Sequence, residues 1–247
     1  MAKHALLNNI EHKDLRVITR YGAQFGDNVG TVMTFPTEYA DVQREYPIFF
    51  RKDPDTGEYQ SIALLGFAKD ENVFLDGEGG WQANYVPGLV ARGPFLIGFQ
   101  DQKGDGTLSS VIHVDLDSPR ISSSEGEPVF MPQGGNSRYI DRVANILNGI
   151  SEGMALSKPM FAAFTEAALI EPVKLEVKLS ETEVYSLLGL HTISAEKLRA
   201  LDGATLEKLN RSGFLQGAFL VAASLNNVRR IIELKNRRRA RQAEMAS

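Results

Sequence analysis

The 247-residue sequence contains no cysteine. That absence excludes a disulfide framework, a thiol nucleophile, a CxxC redox pair, a zinc ribbon and a cysteine-ligated iron–sulfur cluster. Histidine is scarce as well, with 4 copies, so Asp and Glu would have to carry most of any metal site. Long apolar runs are also missing. The most apolar stretch, 213–225, is about two thirds of the roughly 20 residues a membrane helix needs and contains Gln216, so it reads as a buried core helix. The N-terminal apolar stretch around Leu6 and Leu7 is shorter than a signal-peptide core, and no small-residue cleavage site follows it. The expected location is therefore the cytoplasm. Composition is that of a globular protein, 43% hydrophobic and 23% charged, and a chain this long buries enough surface to fold without staples.

Charge is unevenly distributed. The formal net charge is −4, but residues 229–241 hold seven basic side chains and one acidic one, a local +6, which leaves the remainder near −10.

The first half reads as strands. Residues 15–19, 30–34, 48–50, 59–65, 72–75, 94–99 and 108–115 are short, apolar or alternating, and bounded by Gly, Pro, Asp or Asn. Pro54 and Gly57 between two of these runs predict a hairpin joining 49–51 to 58–64. Helical pattern appears at 37–45, with Thr37 as cap, and at 84–91. Beyond about residue 136 the period becomes helical, with one helix from Ser137 to Ile150 and a second over 158–170. The strict alternation at 173–179 predicts a half-exposed strand with 183–190 as its partner, followed by helices from Ser194, from about Ala204 and from about Gly213. The fold class is α+β, a largely antiparallel β-rich N-terminal part packed with C-terminal helices. We expect one domain over 1–247, with division into 1–136 and 137–247 as the alternative.

Among candidate chemistries, His113-Val114-Asp115 is the sharpest. On a strand, positions i and i+2 share a face, so both side chains could ligate one metal, with His191 completing a two-histidine, one-carboxylate triad. Such a triad would make the protein a non-heme oxygenase dependent on Fe(II) and 2-oxoglutarate, with Arg199 as the cation for the oxoacid. Arg199 falls in a predicted helix, which fits poorly, and Asp115 with Asp117 equally reads as the start of a loop. Residues 101–107 superficially match a calcium loop, but Lys103 stands where an oxygen ligand belongs and no Glu occupies position 12 of the loop. Gly77, Gly79 and Gly80 are flanked by Asp76 and Glu78, which would repel phosphate; they imply an unusual backbone path beside Trp81 instead. Ser122–124 has no His or Lys close in sequence.

Arg229, Arg230 and Lys235 suit the solvated face of a last helix, where cations favour the C-terminal dipole. Arg237, Arg238 and Arg239 extend beyond that need and are candidate contacts for an anionic surface or an acidic partner. The acidic body and the lack of a recognition motif argue against nucleic acid.

Several segments, taken in order, resemble the SapC family of bacterial proteins: 46–50 with Lys52-Asp53 and Thr56-Gly57, 63–67 with 71–75, 80–87 with 93–98, 114–120, 187–190 with Ile193 and Lys197-Leu198, 209–215 and 223–225. The family takes its name from a surface-layer protein locus encoding secretion components. Similar genes lie near TonB-dependent receptors, flavin-dependent tryptophan halogenases and cupin-like oxygenases. The resemblance implies an accessory protein with a protein or peptide partner in a surface, export or uptake pathway, and it carries over no catalytic residue. Its pattern emphasises Asp115 to Pro119 rather than His113 or His191. Trp81, Tyr85 and Phe95, aromatics set beside Gly and Pro, are the expected contact surface.

Overall fold

The computed structural model describes residues 3–101, 108–181 and 183–246. Its elements, in chain order, are β1 (His4–Leu6), β2 (Arg16–Val17), β3 (Thr31–Met33), α1 (Tyr39–Val42), β4 (Ile48–Lys52), β5 (Tyr59–Leu64), α2 (Gly88–Ala91), β6 (Phe95–Asp101), β7 (Leu108–Asp115), β8 (Ile121–Ser122), β9 (Glu127–Pro128), α3 (Arg138–Glu166), β10 (Ile170–Lys178), β11 (Val184–Ile193), α4 (Ala195–Arg199), α5 (Gly203–Arg211), α6 (Phe214–Ser224) and α7 (Val228–Ala246). Single 3-10 turns occupy Ala23–Phe25, Pro36–Glu38 and Leu225–Asn227.

The strands form three antiparallel sheets, ordered β10-β11-β4-β5-β3, β1-β7-β6 and β8-β2-β9. The predicted hairpins are present: Phe50 faces Ser61 across β4 and β5, and Val177 faces Tyr185 across β10 and β11. The protein is α+β, with antiparallel sheets in its N-terminal part and several helices in its C-terminal part.

Two hydrophobic cores hold these layers. The larger gathers Tyr46, Phe49, Phe50 and Leu64 from the five-stranded sheet, with Met160 and Phe164 of α3, Val221 of α6 and Ile231 of α7. The smaller joins Val17, Phe95 and Val114 to Tyr139, Ile140, Val143 and Leu147 of α3. A fully buried ring such as Phe50 or Phe164 stabilises by about 1.5–3 kcal/mol relative to exposure. Both cores recruit side chains from either side of residue 136, because α3 lends its first half to one and its second half to the other.

The structure corrects several local expectations. The two predicted helices after Ser137 are a single 29-residue helix that runs through Pro159. Proline removes one N–H from the ladder and leaves the Ala155 carbonyl without its usual donor, but this stretch faces solvent, where water can serve it. Residues 72–75 form a turn instead of a strand, because the Asn72 side chain accepts from Phe74 N at 3.0 Å and donates to the Asp27 carbonyl at 2.8 Å. The strand at 15–19 shrinks to β2. Thr37 caps nothing; its hydroxyl donates to the Gly149 carbonyl of α3 at 2.8 Å. α6 is not wholly buried, for Phe219 is 51% exposed. Apart from the backbone of Asp101 at the end of β6, the stretch compared with a calcium loop lies outside the described residues.

Candidate functional site

The aromatic candidates prove to be parts of a frame. Trp81 Nε1 donates to the Tyr46 hydroxyl at 2.7 Å, and that hydroxyl donates to the Tyr85 carbonyl. The Tyr85 hydroxyl donates to Glu38 Oε2 at 2.7 Å, while Glu38 also accepts from Thr34, Phe35 N and Gly88 N. Glu45 takes Asn84 N and Tyr85 N at one oxygen and pairs with Arg230 at the other, 2.8 Å away. Burial pushes the Tyr46 and Tyr85 phenols well above their ordinary pKa, and Glu38 adds to the effect at Tyr85, so both stay protonated as donors. Phe95 does not join them. It is fully buried in the smaller core beside Tyr139, whereas Trp81 and Tyr85 pack on the larger one. The predicted groove through Trp81, Tyr85 and Phe95 is therefore corrected: chain order placed Phe95 near it, but its strand turns the ring into another layer.

The turn at 115–120 is a second part of the frame. Asp115 Oδ1 accepts from Asp117 N at 3.1 Å, and the turn delivers Arg120 to Asp27, where Nη2 alone donates to Oδ2 at 2.6 Å and to Oδ1 at 2.8 Å. Arg120 also donates to the carbonyls of Ile18 and Arg20 and lies over the Phe25 ring. Beside Trp81, Asp76 accepts from Glu78 N and Gly80 N at 2.8 Å each, and these bonds, Gly80 N first, hold its carboxyl below the usual range.

The three metal candidates are dispersed. His113 and Asp115 share β7, but His191 lies on β11 in a different sheet. The His113 ring fills the space a side chain at Gly98 would occupy, and the His191 ring stacks edge-on against Tyr59 at 5.2 Å. Among the described residues no group of three His, Asp or Glu side chains is placed to hold a metal. Ser122 Oγ accepts from Ser124 N and Glu125 N and so serves a turn.

The basic last helix is partly consumed by the acidic body. Lys235, only 7% exposed, pairs with Glu71 and lies 3.7 Å from Glu183, so it is not the solvated residue the sequence suggests. Burial opposes its charge, but the bonds to Glu71 and Tyr185 outweigh that and raise its pKa. Arg239 pairs with Glu183 at 2.8 Å, and Arg238 donates to the Asn72 carbonyl at 3.3 Å. Arg237 is exposed, with no ion pair among the described residues.

A different region has the geometry of a binding site, and the sequence reading missed it. A cleft of about 490 Å³ opens between β5 and α3, walled by Met33, Phe35, Tyr59, Met154 and Phe161, with the Lys158–Glu58 pair at its rim. Gly153 lets α3 approach the turn at Pro36–Glu38; a side chain there would run into Phe35 Cβ and meet Thr37 Oγ1 at 2.6 Å. The backbone of Tyr59 faces this cleft. Asp53 N bonds the Glu58 carbonyl, and Leu64 N bonds the Pro47 carbonyl, so even-numbered residues of β5 serve β4 while Tyr59, Ser61 and Ala63 turn their N–H and C=O to the other side. There β3 pairs only as far as Met33, Thr34 N takes the Ser61 carbonyl, and the chain then leaves for its 3-10 turn. No strand among the described residues stands opposite Tyr59. Met33 and Met154, 36% and 58% exposed, were the only signal available in the sequence, and their separation hid it.

Fold and site together define an α+β protein with an open strand edge over an apolar cleft. Residues 7–231 match the SapC family, and the chain belongs to that family. No curated protein and no solved structure gives a significant match. No helix among the described residues is long and apolar enough to cross a membrane.

Proposed function

We propose that the chain is a cytoplasmic accessory protein of a bacterial surface-layer, export or TonB-linked uptake pathway, acting by holding an extended, apolar protein segment in the cleft between β5 and α3. Membership of the SapC family supports the choice of pathway. The mode of action rests on one observation, the unpaired backbone edge of Tyr59 beside Met33, Met154 and Phe161. An extended segment satisfies such an edge with main-chain hydrogen bonds and sets alternate side chains against the apolar wall, whereas a helix or a small molecule leaves the edge unmet. Exposed methionines adapt to varied side chains, which suits a surface that receives a segment from another protein.

A displayed library of random linear peptides tests this reading. Enriched peptides should alternate apolar residues and lose about tenfold or more in affinity against Met154→Lys, while Trp81→Phe binds them normally. Peptides that bind Met154→Lys and Met33→Lys as well as the parent protein, or no enrichment at all, reject it.

A further inference from the structure

The pocket enclosed by β2, the residues after it, α2 and the first turns of α3 is separate from the cleft, with a volume of about 210 Å³. That is the space of about seven waters at roughly 30 Å³ each, and it falls below the ~300 Å³ at which drug-sized sites begin. Its apolar walls include Val17, Val90, Val143 and Ile146. Its polar lining residues are Thr19, Tyr21, Tyr139, Arg120 and Arg142, with no carboxylate among them. Tyr139 is 8% exposed, and its hydroxyl has no protein hydrogen-bond partner among the described residues and is open to the pocket rather than sealed in the core. A phenol donor that opens onto a cavity and is free of protein partners is available to a ligand atom there.

The charges sort themselves by partner. Arg120 is committed to Asp27, whereas Arg142 is exposed and has no ion pair among the described residues. Burial raises the pKa of Tyr139; Arg120 and Arg142 act against it, while Tyr21 and, least of all, Glu127 act with it. Both arginines line the pocket together with Tyr139, whose phenol remains a protonated donor, and Glu127 does not line it. One uncommitted cation beside two phenol donors suits a monoanion, and the surrounding aliphatic walls suit an apolar body.

We infer that this pocket binds a small carboxylate with an apolar body, its head held by Arg142 and Tyr139 and its body set against Val90, Val143 and Ile146. Benzoate is the probe, with benzamide as its neutral counterpart and inorganic phosphate as a bare anion, each titrated by calorimetry into the full-length protein. Benzoate should bind at least about tenfold more tightly than either control. Arg142→Gln, an exposed change, should weaken benzoate about tenfold or more, and Tyr139→Phe about three- to tenfold, with both variants keeping the parent circular dichroism. Should Tyr139→Phe fail to fold, Arg142→Gln decides alone. The inference is overturned by absent benzoate binding, by benzamide or phosphate binding as tightly as benzoate, or by undiminished affinity in a folded Arg142→Gln protein.

Discussion

Around Trp81 and Arg120, buried polar groups are matched by designated partners: Glu38 accepts four hydrogen bonds, Arg120 makes four, and the Tyr46 hydroxyl is relayed between Trp81 and Tyr85. Between β5 and α3, the Tyr59 backbone has no strand opposite it, and two methionines stand in water. The first region contains the resembling segments 80–87 and 114–120, whereas among the residues lining the second only Gly57 belongs to one. Motif residues here maintain a scaffold, because a buried charge or hydroxyl tolerates few substitutions once its partners are fixed. An apolar cleft wall tolerates many, so its residues leave a faint trace in a single sequence.

Variants can separate the two regions. The largest effect belongs to the frame: Asp27→Ala leaves Arg120 buried and unpaired, and urea denaturation should show a loss of about 3–5 kcal/mol. A loss under about 1 kcal/mol would mean that Arg120 is satisfied by its carbonyl and ring contacts alone. Gly153→Val comes next, because it forces side-chain atoms into Phe35 and Thr37; we expect a loss of about 1–3 kcal/mol, accompanied by weaker peptide binding as α3 is pushed off the cleft. This variant sharpens the comparison by linking the scaffold to the cleft it shapes. Trp81→Phe should cost about 1 kcal/mol through the lost bond to Tyr46, read as a shift in the urea midpoint with an unchanged slope.

The smallest effect is local and depends on pH. Asp202 caps α5, and its pKa lies below the ordinary 3.8 because Thr205 N and the Thr205 hydroxyl donate to it. A depressed folded pKa means that its contribution is complete above 3.8 and is lost as pH falls through the lower folded value. The protection of the Thr205 amide, taken relative to the intrinsic exchange rate at each pH, should therefore fall as pH drops below the ordinary 3.8, before the larger core opens. A protection factor that is unchanged across this range would show that the cap contributes nothing to the end of α5.

Much of the fold was legible. Strict alternation at 173–179 found β10, turn chemistry at Pro54 and Gly57 found the β4–β5 hairpin, and Ser194 marks the start of α4. The misses have physical causes. The spacing divides α3 into helices at 137–150 and 158–170, but two cores clamp its two halves and hold one helix through Pro159. Asn72 to Leu75 has strand composition, yet one amide side chain folds it into a turn. His113 and His191 are equivalent as letters, and only sheet assignment shows that they stand apart.

The sequence by itself determined the absence of thiol chemistry, the α+β class, the acidic body with its basic end, and the family, since these follow from composition, period and the order of segments. The tertiary structure decided that the basic end folds back onto Glu45, Glu71 and Glu183, that Phe95 belongs to a different core from Trp81, and that the Tyr59 backbone and the Tyr139 hydroxyl are left without a protein partner among the described residues. Whether a polar group is satisfied depends on residues about a hundred positions away, so it can be read only after the chain has brought them together.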